Sequence, residues 1–143
     1  GAVSARLQQR MAESAETLEV PPGGLVFSEG QHADALYVVE SGTIQLSVNQ
    51  RERDLAVASV GPGELLGWSW LVPPHSWDFD AVAVSGARLA RVPAELLRTA
   101  MQDDPTDAAA LSAAMLGVVS RRLRDTRIQL LDLFALSEPG VGA

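Results

Sequence analysis

Cysteine and lysine are both absent from the chain, and histidine occurs only twice. Without cysteine, the protein can form no disulfide bond, hold no metal through thiolates and use no thiol nucleophile. The two histidines, His32 and His75, have no second histidine or carboxylate at ligand spacing, so we expect no metal site and no bound cofactor. The absence of lysine leaves all eleven cations as arginine, from which we draw no function.

Positive charge is scarce relative to negative charge. The eleven arginines stand against eighteen acidic residues, which gives a formal net charge of -7. Because the electrostatic field of a negatively charged protein repels a polyanion, we expect no direct binding to DNA. No apolar run approaches the roughly 20 residues that a membrane-spanning helix needs, and the first residues lack a signal-peptide pattern. The sequence therefore predicts a cytoplasmic protein without a membrane segment.

Aromatic residues make up only 5% of the chain, yet three tryptophans fall within ten positions. They are Trp68, Trp70 and Trp77. Large aromatic side chains bury much area and stack on flat partners, so this concentration indicates a pocket or a filled cavity nearby.

The hydrophobic pattern changes twice along the chain. Apolar residues at three- and four-residue spacing predict an amphipathic helix over residues 3–18. Short apolar runs separated by turn residues then predict an all-β unit, with strands at 25–27, 35–39, 43–48, 55–60, 81–84 and 89–92. A short helix over 94–101 and a long helix over about 106–134 follow. We expect one domain over residues 1–135 and a disordered tail over 136–143.

The long helix carries the a/d pattern of a coiled-coil seam. Its seam positions are Ala109, Ser112, Leu116, Val119, Leu123, Thr126, Leu130 and Leu133. A second apolar stripe is suited to packing on the β unit and consists of Leu111, Met115, Val118, Ile128 and Leu131. Two apolar faces on one helix predict a homodimer through Leu116, Val119, Leu123, Leu130 and Leu133. The alternative is a monomer in which the helix folds back.

Four segments resemble a known family. They are PGGLVFSEG at 22–30, ADALYVVESG at 33–42, VGPGELLG at 60–67 and RRLRDT at 121–126. Together with the order of helices and strands, they resemble the cyclic-nucleotide-binding domain of catabolite-activator and FNR-type regulators. The resemblance implies an α+β, mainly β fold: an eight-stranded antiparallel β-roll, or jelly roll, with an N-terminal helix, a short helix and a long C-terminal dimerisation helix. Turns are expected at Gly30, Gly42 and Gly63.

The resemblance also implies a phosphate-binding cassette after the Gly-Pro-Gly turn. In the family, Gly-Glu opens a short helix whose free N–H groups meet the cyclic phosphate, and an Arg-Ser or Arg-Thr pair follows. Here Gly67 keeps the glycine, Trp68 stands at the glutamate position, and Trp77-Asp78 stands at the Arg-Ser position. Losing one charge-assisted hydrogen bond, roughly 1.5–3 kcal/mol, weakens phosphate binding by about tenfold or more. We therefore expect no cyclic AMP in the usual pose.

Three interpretations of the pocket remain open. It binds another ligand through aromatic faces and His75, it binds a nucleotide in a rearranged pose with Arg127 on the phosphate, or the tryptophans fill it. Thr126 matches a position that in the family faces the base from the partner subunit, and it also fits a buried seam position. The candidate ligand-binding residues are Gly67, Trp68, Ser69, Trp70, His75, Trp77, Asp78, Thr126 and Arg127.

The remaining charged motifs have structural explanations. Three carboxylates flank the start of the long helix, Asp103, Asp104 and Asp107. The positive end of the helix dipole stabilises negative charge at this position. The arginine-rich run at 121–124 is typical of a solvated helix face or of ion pairs between subunits. No nucleophile elbow or Walker-type phosphate loop is present in the sequence, so we expect no enzyme.

These observations predict a homodimeric regulatory domain that senses a nucleotide or another small molecule and signals through the long helix to an unidentified protein partner. Full-length regulators of the family carry a helix-turn-helix after that helix, and the sequence stops where that module is expected to begin. The alternative function is a ligand-free dimeric scaffold whose pocket the tryptophans fill.

Overall fold

The chain is described by a computed structural model. It covers residues 3–50 and 53–137, without the side chains of residues 50, 129, 130 and 132–137. The described residues form three helices, α1 (Ala5–Ser14), α2 (Ala94–Asp103) and α3 (Pro105–Ser137). Eight strands lie between α1 and α2: β1 (Glu16–Val20), β2 (Leu25–Phe27), β3 (Ala35–Ser41), β4 (Ile44–Gln50), β5 (Arg53–Val60), β6 (Leu65–Leu66), β7 (Asp80–Ala83) and β8 (Ala87–Pro93).

The strands form two four-stranded antiparallel sheets. One sheet has the order β1-β8-β3-β6 and the other has the order β2-β7-β4-β5. Inward-facing residues of both sheets close over one apolar core that includes Phe27, Tyr37, Val39, Ile44 and Leu89. This arrangement confirms the predicted α+β class and the eight-stranded β-roll.

The first helix is shorter than predicted. Ser4 caps it, with its Oγ accepting from the Leu7 N–H at 3.2 Å, and the helix ends at Ser14. Residues 16–18, predicted as helix, belong to β1, which pairs with β8 so that Leu18 lies opposite Leu89. The apolar spacing of residues 3–18 was wrong as a single helix because pairing with a distant strand decides the conformation of its last turn. The two-residue strand β6 was missed for the same reason.

The predicted turn glycines take the expected conformation, with φ of 87° at Gly30, 84° at Gly42 and 82° at Gly63. Gly42 is the most restricted of them. A Cβ on Gly42 would lie 2.5 Å from the carbonyl oxygen of Gly86, between the ends of β3 and β8. Only glycine therefore fits where these two strands meet.

A second apolar cluster joins the three helices to one edge of the β-roll. Leu111 and Met115 of α3 pack there with Leu7 of α1 and Leu97 of α2. Val118 packs at its margin, which agrees with the predicted second stripe in the first half of α3. The second half disagrees, because Ile128 and Leu131 are 55% and 59% exposed. Within the part of the chain that the structure describes, the second stripe is therefore buried only as far as Val118.

Candidate ligand site

The predicted cassette, residues 67–79, contains turns instead of a helix. The Leu71 N–H donates to the Trp68 carbonyl at 2.9 Å, and the His75 N–H donates to the Val72 carbonyl at 2.9 Å. Neither turn continues into a helix anywhere in residues 67–79, all of which the structure describes. The family's cassette opens with a short helix whose N–H groups meet a phosphate, and residues 67–79 depart from that pattern. Two successive turns do not align several free N–H groups on one anion as a helix terminus does.

Trp77 turns inward and fills the space between the two sheets. Its ring stacks on Phe27 with centroids 4.0 Å apart and planes within 9°, and it lies 6.1 Å from the Tyr37 ring. Only 4% of Trp77 is exposed. The residue at the family's arginine position is therefore part of the β-roll core.

Gly67 lies directly against this ring. A Cβ on Gly67 would lie 2.5 Å from Cζ3 of Trp77, and Gly67 has a φ of 99°. Any side chain at position 67 would both clash with the indole and adopt a strained backbone conformation. The absence of a side chain at Gly67 therefore leaves the space that the Trp77 ring occupies.

The space left beside Trp77 is very small. The cavity has a volume of about 10 Å³. That is roughly the room one water molecule needs, so a nucleotide cannot enter without moving the walls. The walls are formed by Phe27, Leu46, Leu66, Gly67, Trp68, Ser69, Trp77, Asp78, Phe79 and Arg122.

Arg122 of α3 brings a positive charge to this cavity. The residue is only 3% exposed, and its Nη1 donates to Oδ2 of Asp125 at 2.8 Å. Burial lowers the pKa of the Arg122 guanidinium, and the negative charge of Asp125 opposes this shift. Part of the predicted solvated arginine run is therefore buried, because Arg122 continues the stripe of Met115 and Val118 along the helix.

The other predicted cassette residues separate into two groups. Trp68, Ser69 and Asp78 line the cavity with Gly67 and Trp77. Trp68 is half-buried and meets Phe79 edge to face at 5.8 Å, whereas Asp78 is exposed. These residues are brought together at one site, and their predicted role in ligand binding stays a prediction.

Trp70 and His75 lie outside the cavity walls. Trp70 is fully buried in the helical cluster with Leu36 and Leu97, and its Nε1 has no hydrogen-bond partner among the described residues. The half-buried His75 holds a loop in place, with its carbonyl accepting from the Ala33 N–H at 2.7 Å. The three tryptophans therefore pack in two different apolar clusters. Trp77 lies in the core of the β-roll, and Trp68 and Trp70 lie in the helical cluster.

Thr126 and Arg127 are exposed on α3 and lie away from the cavity walls. The Thr126 hydroxyl donates to the Arg122 carbonyl at 2.8 Å within the same helix. Leu123, Arg124, Thr126 and Arg127 border an open groove of about 410 Å³. The structure thus places both residues on the free side of the helix, where a second chain can reach them.

Several contacts tie the helices to the site. Arg121 forms an ion pair with Glu64, whose other oxygen accepts from the Gly61 N–H in the Gly-Pro-Gly turn. On the opposite side, Nη2 of Arg98 in α2 donates to the Trp70 carbonyl. Helices α3 and α2 thus each contact the segment that carries the tryptophans, at Glu64 before the loop and at Trp70 within it.

Sequence reasoning missed Arg122 and the apolar walls. The signal for Arg122 was its position four residues after Val118 in the core-facing stripe, which the neighbouring arginines hide. Phe27, Leu46 and Leu66 were identifiable only as core residues, because closure of two sheets brings them to one cavity. Within the described residues, no cluster of potential metal ligands exists and no helix is long and apolar enough to cross a membrane.

Comparison with known proteins agrees with this architecture. The profile of the family described as the cyclic nucleotide-binding domain matches residues 17–104, from β1 to the end of α2. This match spans more than half of the chain. The chain belongs to the cyclic nucleotide-binding domain family.

The two curated relatives described next are named as a transcriptional regulator and as a cyclic AMP receptor. A CRP-like cAMP-activated global transcriptional regulator of Mycobacterium tuberculosis is 27% identical over 131 residues, which are 91% of this chain and 57% of that protein. A cyclic AMP receptor protein of Thermus thermophilus is 33% identical over 121 residues, which are 82% of this chain and 53% of that protein. The chain thus spans about half the length of these relatives.

A solved structure shares the fold. The cyclic nucleotide-binding domain from Methylobacillus flagellatus superposes with a TM-score of 0.79 at 16% identity, covering 92% of this chain and 75% of that one. At this identity the likeness concerns the β-roll and its helices only.

Proposed function

We propose that this domain is a dimeric regulatory module whose ligand space is filled by its own Trp77. The observation that carries the proposal is the stack of Trp77 on Phe27, which leaves a cavity of about 10 Å³. Membership of the cyclic nucleotide-binding family, whose relatives are named as transcription regulators, supports a regulatory role over a catalytic one. The domain acts on a protein partner through α3.

Cyclic AMP in the family's usual pose is excluded from this proposal on three grounds. The cassette has no helix to offer N–H groups, the arginine position holds the buried Trp77, and Asp78 places a negative charge beside it. A phosphate at this position would lose its charge-assisted hydrogen bonds and face a carboxylate.

The dimer is proposed through the seam of α3. Leu116 and Leu123 are 66% and 70% exposed, although both occupy seam positions at the heptad spacing. A second copy in parallel register would set Leu116 on Leu116 and Leu123 on Leu123 around a two-fold axis. The side chains of Leu130 and Leu133, also predicted in this interface, lie outside the described residues.

A second candidate function is a sensor whose ligand displaces Trp77. The polar groups on the cavity wall favour it, because Ser69 and Arg122 supply a hydroxyl and a guanidinium beside the aromatic rings. In that case the position of the Trp77 ring reports occupancy and passes it to α3 through Arg122.

Tryptophan fluorescence separates the two functions. In a Trp68→Phe, Trp70→Phe double variant, Trp77 is the only tryptophan left. Its emission spectrum should be that of a buried indole. We expect no saturable change with cyclic AMP, cyclic GMP, cyclic dinucleotides or a metabolite panel. A saturable red shift with one compound would overturn the filled-pocket proposal and establish the sensor.

Calorimetry on a cavity variant tests separately whether the space that Trp77 occupies can hold a ligand. Trp77→Ala removes the stacked ring and opens a space bounded by Phe27 and Gly67. Indole should bind this variant, as small aromatic molecules bind engineered apolar cavities, and isothermal calorimetry should show no heat with the unchanged protein.

A further inference from the structure

Positive charge is concentrated in one short part of α3. Four of the eleven arginines lie in residues 121–127, with one acidic residue among them. Arg121 and Arg122 form ion pairs within the subunit. Arg124 and Arg127 are exposed, and neither forms an ion pair among the residues that the structure describes. Helix α3 therefore presents two exposed cations on a chain whose net charge is -7.

Two large apolar side chains lie beside these two arginines. Ile128 and Leu131 are each more than half exposed. Arg124, Arg127, Ile128 and Leu131 are related by spacings of three and four residues, so they are neighbours on the helix surface. With 3.6 residues per turn, the four residues cover about 100° of that surface. We call them the outer face of α3.

The outer face is separate from the surfaces of α3 that pack on the β-roll and form the proposed seam. Its centre lies on the side of the helix opposite Arg122, which is buried against the β-roll. It also lies about a quarter turn around the helix from the seam residue Leu123. Arg127 borders the seam, and the other three residues lie beyond it. A dimer through the seam therefore leaves the outer face accessible.

We propose that the outer face of α3 docks an acidic amphipathic helix of the protein partner. The inference rests on the proposed function, in which α3 acts on a protein partner, and it adds the chemistry of that partner. Large apolar side chains of the partner helix contact Ile128 and Leu131, and carboxylates beside them pair with Arg124 and Arg127. An amphipathic helix presents such residues on one face at three- and four-residue spacing.

The charge and the width of the outer face argue against other occupants. A second copy of this chain is disfavoured, because a two-fold contact through this face brings its arginines against their own copies. A long nucleic acid is repelled by the net charge of -7. A lipid surface requires a wider apolar face than two side chains provide. A short acidic helix matches both the two cations and the two apolar residues.

Fluorescence anisotropy with labelled peptides tests the proposal. The probes are amphipathic peptides of about 15 residues, with leucines at three- and four-residue spacing and glutamates flanking them. In the matched peptides, lysine replaces every glutamate. The glutamate peptides should bind about tenfold more tightly than the lysine peptides, and about 1 M salt should remove most of this difference because exposed ion pairs are screened. Equal binding of the two sets overturns the proposal.

Arginine variants test whether the outer face supplies the charge. The double variant Arg124→Gln, Arg127→Gln should weaken binding of the glutamate peptides by about tenfold, as expected for two exposed ion pairs. The double variant Arg6→Gln, Arg88→Gln is the matched control. It removes the same charge from exposed positions on α1 and β8 and should bind the peptides as the unchanged protein does.

Leucine variants test the apolar half of the face. Leu131→Glu should abolish binding of the glutamate peptides and leave the dimer intact. Leu25→Glu changes a similarly exposed leucine on β2 and should leave both unchanged. Circular dichroism of each variant verifies that the fold is intact. Peptide binding that survives Leu131→Glu places the contact elsewhere on the protein and overturns the outer face as the docking site.

The outcomes separate this inference from the proposed function on which it rests. If no glutamate peptide binds, the docking site is overturned, while the dimer and the filled pocket stand on their own tests. If the chain is monomeric and yet binds the glutamate peptides through the outer face, the docking site stands and the dimer is overturned. Co-sedimentation with vesicles of phosphatidylserine and phosphatidylcholine completes the test. Vesicle binding without peptide binding would identify a lipid surface as the occupant and overturn the acidic helix.

Discussion

Trp77 shows how one residue changes what a shared fold can do. An indole replaces the charged group that the family resemblance implies at this position, and its ring packs on Phe27 inside the β-roll. The substitution removes a cation and fills the volume where a ligand would lie. In the proposed function, this one side chain removes both the chemistry and the space of a phosphate site.

Trp77→Ala should lower the free energy of unfolding by about 3–5 kcal/mol, since a large buried aromatic is truncated and a cavity remains. Urea denaturation followed by circular dichroism measures the loss. Trp68→Ala, at a half-buried position on the same cavity, should lose clearly less. Equal losses for the two variants would contradict the assignment of Trp77 as the core residue of the pair.

Tyr37 gives a prediction about pH. Burial raises the pKa of its phenol, and the nearby Arg91 partly opposes the shift. The unfolded chain releases this proton near pH 10, while the folded protein keeps it to a higher pH, so stability should fall as pH rises above about 10. Below pH 10 both states hold the proton and the pH has no effect through this group.

Tyr37 is the only tyrosine in the chain, so the test is specific. Urea denaturation between about pH 9 and 11 should show this fall in the unchanged protein and a smaller one in Tyr37→Phe. Identical pH profiles for the two proteins would show that the phenol does not cause the loss.

Beside the apolar contacts, the carboxylate of Asp107 links α1 to α3. Asp107 accepts from the Ser4 N–H at 2.7 Å and from the Ser4 hydroxyl at 2.8 Å, and the same Ser4 caps α1. The sequence interpretation gave Asp107 only a dipole role in α3. In the structure Asp107 is only 4% exposed, and its two hydrogen bonds to Ser4 join two helices that are distant in sequence.

Asp107→Ala should destabilise the protein by about 1–3 kcal/mol, because it leaves the buried donors of Ser4 without an acceptor. Hydrogen exchange should show faster opening of α1 than of the β-roll. Asp103→Ala is the control, since Asp103 is exposed in the same region and its loss should cost less than about 0.5 kcal/mol. A uniform increase in exchange over the whole domain would argue against a local tether.

Among the described side chains in the second half of α3, three large apolar ones are mostly exposed, namely Leu123, Ile128 and Leu131, and the proposed dimer covers Leu123. Leu123→Glu should raise the dimer dissociation constant by about a hundredfold or more, because it would bury two unpaired carboxylates at the seam. Leu131→Glu should have little effect, since Leu131 is similarly exposed but lies outside the seam. Light scattering after size exclusion measures both, and equal dissociation would place the interface elsewhere.

Local sequence pattern was sufficient for α2, α3, most strands and the turn glycines. Hydrophobic period, turn chemistry and proline position act between near neighbours, so they predicted α2, α3 and the turns at Gly42 and Gly63. The departure of the cassette from the family pattern was also readable, because Trp68 and Trp77-Asp78 replace charged residues in the sequence itself.

The direction of each tryptophan depended on contacts between distant segments. Trp77 meets Phe27 of β2, whereas Trp70, seven positions earlier in the same loop, packs on the helices with Leu97. The same principle buried Arg122, exposed Arg127 and turned residues 16–18 into a strand. Periodicity places a residue on a face of its own element, but its partner is decided only when the sheets close and the helices dock, because burial and pairing with distant residues outweigh local preference.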